Sequence, residues 1–427
     1  MTRIVVVGAG VGGLRAAEAL RAAGHDGELV VVGAEPWHPY QRPPLSKTLL
    51  AGDVEPDALT IRRRKSVADV EWRLTTAAVR VDLDAHVLQL AVPSGGDARS
   101  GDQLTWDGLV IATGLRPKRL VSLPGSWAHR HRVRGLHDAL ELRAELTPGA
   151  RLVVVGAGFL GCEIAATAIG RGCDVAIVAP EAEPMERQLG PLVGAAMRRR
   201  HEERGVRFHL GRVPVRLDAG GSGVTLDDGT VLPADVVVEA IGSDPVTDWL
   251  GGTELDLSDG VLCDSWLRAV GPTGPRADVV AVGDVARFPH PLAGPPARRI
   301  EHWDMAPLTA KRAAPALLAG LTGAALDPEP FAPVPSFWSD QYDVTIQSFG
   351  MPELADEVEV VEGSLHGPFL AAYRRATPSG SRLVAAVGVG TMTGLMDLRA
   401  ALATDVIPDV PAQAPPGPPV PGSHAAG

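Results

Sequence analysis

Two glycine-rich motifs of the kind that binds a dinucleotide occur in one chain of 427 residues. The first is Gly8-Ala9-Gly10-Val11-Gly12-Gly13 and the second is Gly156-Ala157-Gly158-Phe159-Leu160-Gly161. The glycines of such a motif allow a tight turn and bring bare backbone against a pyrophosphate, while the next helix offers unpaired N–H groups and a favourable dipole. Each motif alone is also consistent with a glycine-rich turn that binds nothing. The pair predicts two bound nucleotides.

Both motifs lie between a predicted strand and a predicted helix. The expected elements are strand 4–7, helix 12–23 and strand 28–32 around the first motif, and strand 152–155, helix 159–171 and strand 174–178 around the second. This βαβ pattern is the context that gives a glycine motif its meaning. The sequence therefore predicts an α/β protein with two Rossmann-like dinucleotide-binding domains.

An acidic residue follows the first motif at a spacing typical of ribose recognition. Glu35 lies 22 residues after Gly13, just beyond the predicted strand 28–32. A carboxylate at this place normally accepts hydrogen bonds from the adenosine ribose hydroxyls. On its own Glu35 is equally consistent with a surface carboxylate, and its position after the motif favours ribose binding.

The rest of the chain suggests three domains and a tail. A strand at 108–111 leads into Ala112-Thr113-Gly114, the apolar run 236–241 ends at Gly242, and a strand within 277–284 returns the chain to the first domain. Short strands after about residue 331 predict an α+β C-terminal domain. The predicted domains are 1–114 with 243–325 for one nucleotide, 115–242 for the other, 326–404 for the α+β domain and 405–427 for a disordered Pro-rich tail.

Composition narrows the function classes. The chain is 45% hydrophobic and 21% charged, which excludes a mainly disordered protein, and no apolar run approaches the roughly 18 residues of a membrane span. Residues 4–13 lack a signal-peptide cleavage pattern, so we expect a cytoplasmic protein. The three cysteines, Cys162, Cys173 and Cys263, form no metal or disulfide spacing and are expected to be buried thiols.

The formal net charge of −11 argues against general nucleic-acid binding. Basic clusters nevertheless occur at 62–65, 198–200 and 311–312. Most such clusters are solvated faces of helices or loops. One of them is a candidate surface for an acidic partner.

Several segments resemble a known family more specifically than the glycine motifs do. They are Arg42-Pro43-Pro44-Leu45-Ser46-Lys47, Ala112-Thr113-Gly114, Gly283-Asp284, Arg299-Ile300-Glu301-His302-Trp303 and Phe337-Trp338-Ser339-Asp340-Gln341-Tyr342. Together with the two motifs they are spread along the chain, and the resemblance extends over nearly the whole ordered chain. They resemble the FAD-dependent ferredoxin reductases that feed oxygenases, within the glutathione-reductase-like pyridine nucleotide-disulfide oxidoreductase superfamily. Superfamily members with thiol chemistry need a redox cysteine in the first domain, and this chain has no cysteine before Cys162.

The resemblance implies roles for individual residues. The first motif and Glu35 would hold the AMP half of FAD, Arg42 would approach the phosphates, and Asp284 would hydrogen-bond the ribityl chain. Lys47 would lie beside the flavin, with Trp303 and Trp338 lining its pocket unless these rings are ordinary core aromatics. The implied catalytic residues are Lys47, Glu163 and Trp303. The implied cofactor-binding residues are Gly8, Gly10, Gly13, Glu35, Arg42, Lys47, Ala112, Thr113, Gly114, Gly156, Gly158, Gly161, Glu163, Gly242, Asp284, Glu301, His302, Trp303 and Trp338.

The second motif would bind the pyridine nucleotide. Glu163 matches the family's acidic residue that faces flavin and nicotinamide and pairs with the lysine at position 47. The sequence departs from the NADH pattern at Ala179, which occupies the place of the usual ribose-binding acid, with Glu181 and Arg187 nearby. We expect NADH as the coenzyme, with NADPH as the alternative.

The family resemblance implies a reductase that takes a hydride from NAD(P)H. It would pass single electrons to an iron-sulfur ferredoxin serving an oxygenase such as a haem monooxygenase, with no metal of its own and no nucleic-acid or membrane partner. The candidate docking residues for an acidic ferredoxin are Arg62, Arg63, Lys311 and Arg312. The alternatives are a ferredoxin-independent oxidase or a quinone or small-molecule reductase, and a redox-sensitive binding protein like apoptosis-inducing factor.

Overall fold

Three main sheets organise the chain, each formed from strands with a distinct pattern of burial. The computed structural model describes residues 2–91, 102–121, 123, 129–218, 223–329, 331–378, 380–390 and 393–406. Its helices are α1 (Val11–Ala22), α2 (Thr48–Ala51), α3 (Leu136–Glu145), α4 (Phe159–Gly170), α5 (Glu186–Glu202), α6 (Met305–Thr322) and α7 (Leu395–Val406).

The strands follow in chain order, with those of the two nucleotide sheets and their side hairpins first and those of the C-terminal sheet last. They are β1 (Arg3–Val7), β2 (Glu28–Val32), β3 (Glu71–Arg73), β4 (Ala77–Asp82), β5 (Val87–Ala91), β6 (Asp102–Thr105), β7 (Gly108–Ile111), β8 (Leu115–Pro117), β9 (Arg130–His131), β10 (Arg151–Val155), β11 (Asp174–Ala179), β12 (Arg207–Leu210), β13 (Pro214–Leu217), β14 (Gly223–Leu226), β15 (Val231–Pro233), β16 (Val236–Glu239), β17 (Ser243–Pro245), β18 (Val261–Leu262), β19 (Arg268–Gly271), β20 (Gly274–Ala281), β21 (Ala286–Phe288), β22 (Arg298–Arg299), β23 (Ser336–Gln341), β24 (Val344–Gly350), β25 (Glu357–Gly363), β26 (Phe369–Thr377) and β27 (Gly380–Val389).

The first sheet contains the first glycine motif at the end of its central strand. Its order is β19-β20-β7-β1-β2-β3, and all neighbours are parallel except β19 and β20. Continuous apolar runs such as 4–7 and 29–32 form these strands because a parallel sheet is covered on both faces. Helix α6 packs closely on β20, where a Cβ at Gly320 would lie 1.9 Å from the Ala277 carbonyl oxygen.

The second sheet repeats this arrangement with a different set of strands. Its order is β12-β11-β10-β16-β9, all parallel, with the second glycine motif directly after β10. Helix α4 packs on this sheet and is buried over most of its length. In both sheets the glycine motif therefore lies at the carboxyl edge, where open α/β sheets bind their ligands.

The third sheet is antiparallel and belongs to the C-terminal part of the chain. Its order is β23-β24-β27-β26-β25, and α7 packs against β27. Strands β23 and β24 form a hairpin that turns at Tyr342 and Asp343, with Tyr342 in the left-handed region at φ +57°. This hairpin lies against α4. The parts of the chain built on the first and second sheets are called the first and second units below, and the third sheet with α7 forms the C-terminal unit.

Two crossings connect the nucleotide-binding parts, and they lie side by side. Strand β8 follows β7 and strand β17 follows β16, and the two pair antiparallel. The Thr113 hydroxyl donates a hydrogen bond of 2.7 Å to the Val246 carbonyl, and Arg116 forms an ion pair with Asp248. This paired connection places the two carboxyl edges next to each other.

The predicted fold class is confirmed, and the predicted elements differ from the observed ones mainly at their ends. The strand expected within 277–284 ends at Ala281, and the run 236–241 is a strand only as far as Glu239. Residues 405 and 406 continue α7, and the rest of the predicted tail, 407–427, lies outside the described residues. The exact domain boundaries stay a prediction. In the described ranges, no helix is long and apolar enough to cross a membrane.

Candidate functional site

The first cleft opens at the carboxyl edge of the first sheet. It has a volume of about 550 Å³ and is lined by residues 7–12, Glu35, Arg42, residues 112–115 and Asp284, among others. These residues come from distant parts of the sequence and include most of those that the family resemblance assigns to FAD. A cleft at this edge is where a dinucleotide is expected in this fold.

The glycines of the first motif divide into two kinds. A Cβ at Gly13 would lie 1.8 Å from the Gly8 carbonyl oxygen, and one at Gly8, whose φ is +120°, would lie 2.2 Å from the Ala112 carbonyl oxygen. Both glycines are therefore needed to pack α1 against the strand ends. A Cβ at Gly10 would meet no protein atom within 4 Å, although Gly10 is the N-cap of α1. The space left open at this helix N-terminus fits a pyrophosphate.

The second motif has the same division. A Cβ at Gly161 would lie 2.1 Å from the Gly156 carbonyl oxygen, and one at Gly156, whose φ is +109°, would lie 2.3 Å from the Ala240 carbonyl oxygen. A Cβ at Gly158, the N-cap of α4, would again meet nothing within 4 Å. The residues present thus fit two dinucleotides, one at each motif.

Glu35 is held by neighbouring protein donors at the adenosine end of the first cleft. The Tyr40 hydroxyl donates to one carboxylate oxygen and the Arg42 guanidinium to the other, both at 2.5 Å. Burial is the largest single influence and lowers the pKa of Arg42, but the Glu35 carboxylate together with Tyr40 and Asp284 raises that pKa overall. The Glu35 side chain keeps 40% of its surface exposed, so it still has room for a ligand, and its contact with ribose stays a prediction.

Arg134 is a cleft residue that the sequence analysis missed. Its guanidinium lies 3.5 Å from the carboxylate of Asp284, and its backbone carbonyl accepts a hydrogen bond from Arg42. Burial raises the pKa of Asp284, and Arg134 opposes that shift. No glycine motif or strand end marks Arg134 in the sequence, since it lies in the connection that precedes α3.

The second cleft lies over the second glycine motif and has a volume of about 750 Å³. Its lining includes Gly156, Gly158, Gly242, His302 and Trp338. Trp338 is 41% exposed there and is not among the residues that line the first cleft, and its contact with the flavin stays a prediction. The alternation of side chains along β23 directs Trp338 outwards because its neighbour Ser339 is buried.

The two clefts meet along a shared wall. Six of the described residues line both clefts, namely Pro43, Val133, Arg134, Leu160, Glu301 and Trp303. They come from the first unit, the connection to the second unit, helix α4 and the segment before α6. Ligands in the two clefts would therefore touch beside Trp303.

Glu301 belongs to this wall and His302 follows it in the second cleft, and the two side chains have different environments. The Glu301 carboxylate accepts hydrogen bonds from Arg299 at 2.7 Å and from the Ser243 hydroxyl at 3.1 Å. Burial lowers the pKa of His302 to about 4, and the ring lies edge-on to Phe337. His302 is therefore neutral at pH 7.

Glu163 forms a buried cluster behind the shared wall. Its carboxylate lies 2.8 Å from the Lys47 ammonium and accepts hydrogen bonds of 2.6 Å from the hydroxyls of Ser46 and Ser339. Glu163 lines the first cleft, whereas Lys47 is not among its lining residues and also donates to the Pro43 carbonyl at 3.2 Å. The pairing of Lys47 with Glu163 that the resemblance implies is present, and the two serines were missed, although both lie in the motif segments.

Ala179, at the end of β11, occupies the place where a ribose-binding acid is usual in this fold. Ala179 is completely buried, so an acidic side chain in this position would enter the core. The carboxylate of Glu181, two residues later, lines the second cleft and forms an ion pair of 2.7 Å with Arg187. An acid and a base therefore lie together where the adenosine ribose of a coenzyme would bind.

The cysteines and metal ligands do not form a reactive site in the described part of the chain. Cys162, Cys173 and Cys263 are free and buried, and burial raises the pKa of each thiol. Among the described residues, no group of three or more His, Cys, Asp or Glu side chains is placed to hold a metal ion.

Comparisons with known proteins agree with this geometry. Residues 2–310 match the pyridine nucleotide-disulphide oxidoreductase family, and residues 336–419 match the reductase C-terminal family. The chain belongs to the pyridine nucleotide-disulphide oxidoreductases. Family membership confirms the predicted oxidoreductase class, and the family contains FAD-binding, NAD-dependent ferredoxin reductases.

Individual relatives are similar to the chain over nearly its whole length. It is 35% identical over 416 residues to the ferredoxin–NAD(+) reductase component of the anthranilate 1,2-dioxygenase system of Burkholderia cepacia, covering 95% of each chain. It is 34% identical to rhodocoxin reductase of Rhodococcus erythropolis, covering 96% of this chain and 91% of that protein. The structure of the covalent putidaredoxin reductase–putidaredoxin complex matches with a TM-score of 0.83 at 30% identity, covering 95% of this chain and 93% of that one. The resemblance to ferredoxin reductases is thereby confirmed.

Glycine substitutions test the pyrophosphate site inferred at Gly158, the N-cap of α4, which is called the glycine cradle here. We expect Gly158→Ala to raise the KM for the pyridine nucleotide by about tenfold or more, because its methyl group would occupy pyrophosphate space, while the melting temperature stays unchanged. Gly161→Ala should instead lower the melting temperature, since its Cβ would collide with the Gly156 carbonyl. Steady-state kinetics and thermal melts measure both effects. Gly170→Ala, where a Cβ also meets open space, is the control, and an unchanged KM in Gly158→Ala would refute the cradle.

Acid should destabilise the protein through His302. Its pKa in the folded protein is about 4, below the roughly 6.5 of an unfolded histidine. Between these values only the unfolded chain takes up the proton, so the free energy of unfolding falls as the pH falls, by up to about 1.4 kcal/mol per pH unit. Denaturant unfolding from pH 7 to pH 4.5 should show a shallower slope for His302→Leu than for the wild type. The exposed His137→Gln is the control, and equal slopes for wild type and His302→Leu would contradict the prediction.

Proposed function

We propose that this protein is a flavoprotein reductase that takes a hydride from NADH and passes single electrons to an iron-sulfur ferredoxin serving an oxygenase such as a haem monooxygenase. The observation that carries the proposal is the shared wall of the two clefts, where Trp303 lines both the cleft over the first glycine motif and the cleft over the second. The names of the relatives in oxygenase systems support the acceptor class. The sequence-based expectation of a cytoplasmic location belongs to the same proposal.

The residues of the clefts have separable tasks in this proposal. The helix N-termini at Gly10 and Gly158 bind the two pyrophosphates through backbone N–H groups. Bound FAD supplies a centre that accepts two electrons from a nicotinamide and releases them singly, which no side chain here does. Glu35 and Asp284 position the FAD. The ion pair of Lys47 with Glu163 places its charges beside the junction of the two clefts, that is, beside their shared wall.

Exposed basic side chains support docking of an acidic ferredoxin, but the four predicted residues differ in how exposed they are. Arg62, Arg63 and Lys311 are exposed, with the Arg63 guanidinium over the Trp72 ring. Arg312 is only 10% exposed and donates hydrogen bonds to the carbonyls of Ser265, Asp327 and Glu329.

We therefore keep Arg62, Arg63 and Lys311 in the docking proposal. Arg312 instead anchors the segment that follows α6. Arg399, which lines the same surface groove as Lys311, is a further exposed cation there.

Charge reversal tests the docking proposal and the function together. Lys311→Glu and Arg62→Glu should slow NADH-dependent cytochrome c reduction through a two-iron ferredoxin about tenfold at low salt, because steering by opposite charges is lost. Ferricyanide reduction, which needs no docking surface, should stay unchanged. Arg216→Glu on β13 is a control with the same change in net charge. Turnover of cytochrome c that does not depend on ferredoxin in the wild type would overturn the proposed function.

The pair Glu181 and Arg187 should decide the coenzyme. We expect NADH to be preferred because Glu181 can accept ribose hydroxyls and would repel a 2′-phosphate. Glu181→Ala should lower kcat/KM for NADH more than for NADPH, and Arg187→Ala the reverse, each by several-fold. Steady-state kinetics with both coenzymes measure this. A wild-type preference for NADPH of more than about tenfold, equivalent to roughly 1.4 kcal/mol, would show that the coenzyme is NADPH.

A further inference from the structure

A continuous row of buried polar side chains leads from Glu163 towards the surface of the second unit. Ser339 and Gln341 lie on β23, His201 lies near the end of α5, and Tyr342 lies at the hairpin turn. Ser339, Gln341 and His201 are at most 1% exposed. Buried polar groups are retained at a cost unless they are fully hydrogen-bonded.

The distances show one unbroken chain of hydrogen bonds. Ser339 Oγ lies 2.6 Å from Glu163 Oε1, and Gln341 Nε2 lies 3.1 Å from Ser339 Oγ. Gln341 Oε1 lies 2.8 Å from His201 Nε2, and the Tyr342 hydroxyl lies 2.9 Å from His201 Nδ1. The chain therefore joins α4, the C-terminal hairpin and α5.

The direction of every bond follows from the carboxylate at its end. The Glu163 carboxylate only accepts, so Ser339 must give it its single proton and accept in turn from the Gln341 amide nitrogen. The Gln341 oxygen then faces His201, whose Nε2 must donate. Burial lowers the pKa of His201 to about 4, so the ring is neutral and its Nδ1 accepts from the Tyr342 hydroxyl. All four donors point towards Glu163.

The chain orients groups and does not conduct protons. The amide of Gln341 donates from nitrogen and accepts at oxygen, so a proton that arrives at one atom does not leave from the other without an unstable tautomer. Aligned dipoles in a buried chain polarise one another and strengthen the bond at the charged end. The outcome is a carboxylate fixed in one position with positive dipole ends directed at it.

We propose that Ser339, Gln341 and His201 are positioning residues for the reduction of the flavin by NADH: with Tyr342 they hold the Glu163 carboxylate, and through it the Lys47 ammonium, beside the junction of the two clefts. The inference rests on the proposed function only in taking FAD and NADH as the occupants of the clefts. It does not involve the ferredoxin. Ser339 also sets the neighbouring Trp338 on the opposite side of β23, towards the second cleft.

The test uses the FAD-loaded protein without any ferredoxin. Ser339→Ala removes the donor at Glu163, and Ser348→Ala, at a buried serine on β24 whose hydroxyl has no hydrogen-bond partner in the described structure, is the matched control. We expect Ser339→Ala to slow flavin bleaching by NADH about tenfold in stopped flow while KM stays within about twofold. The midpoint potential of the flavin should become more negative, because a positive dipole end near the flavin is lost. Ser348→Ala should change none of these values.

Two further variants keep the test decisive. Ser339→Thr keeps the hydroxyl and should restore most of the rate. If Ser339→Ala loses its flavin, Tyr342→Phe replaces it as the test variant, compared with Tyr373→Phe, which deletes another buried hydroxyl that donates to the Leu189 carbonyl. Tyr342→Phe should shift the flavin potential in the same direction by a smaller amount, and Tyr373→Phe should not.

A potential and a bleaching rate that are unchanged in Ser339→Ala, or shifted equally in Ser348→Ala, would overturn the inference. For the replacement pair, equal potentials in Tyr342→Phe and Tyr373→Phe would do the same. These outcomes are independent of whether a ferredoxin accepts the electrons. Failure of the ferredoxin step would appear only in the ferredoxin assay, and failure of NADH to bleach the wild-type flavin would count against the proposed function itself.

Discussion

The buried carboxylate of Glu163 is the constraint on which the arrangement of the three units depends. A charge inside an apolar helix is tolerated only with an opposite charge and hydrogen-bond donors in place. Lys47 and Ser46 come from the first unit, Glu163 from the second and Ser339 from the C-terminal sheet. One charged group therefore requires all three parts of the chain to be in position together. Displacing the first unit would leave the buried Glu163 carboxylate without its counter-ion Lys47, which costs several kcal/mol, and displacing the C-terminal sheet would remove the hydrogen bond from Ser339.

The paired connections have a complementary role. Strands β8 and β17 hold the two nucleotide sheets with their carboxyl edges adjacent, and the Glu163 cluster fixes the rotation of α4 between them. As a consequence Trp303 and Glu301 reach both clefts although they belong to neither glycine motif. The site where two ligands would meet is thus a product of the interfaces between units.

The sequence predicted the parts of this site that depend on local geometry. Gly13 and Gly161 are readable from sequence because each is forced by close helix–strand packing within its own βαβ unit. Arg134 and the two serine partners of Glu163, Ser46 and Ser339, were not readable, since their roles depend on contacts between residues more than a hundred positions apart. The side of β23 on which Trp338 lies was not readable either, for a related reason. Its motif identifies the segment, but the burial of Ser339 decides which way the tryptophan points.

Charge pairing at the clefts bears on how they would recognise nucleotides. Arg42 pairs with Glu35, Arg134 with Asp284, and Arg187 with Glu181. Because each of these cations is offset by a carboxylate, the clefts do not attract a pyrophosphate by net positive charge. The attraction must come from backbone N–H groups at the helix N-termini, where no side chain caps α1 or α4. Such a site would bind phosphates by geometry, while the remaining acceptor positions of its paired carboxylates could accept hydrogen bonds from the hydroxyl groups of the sugars.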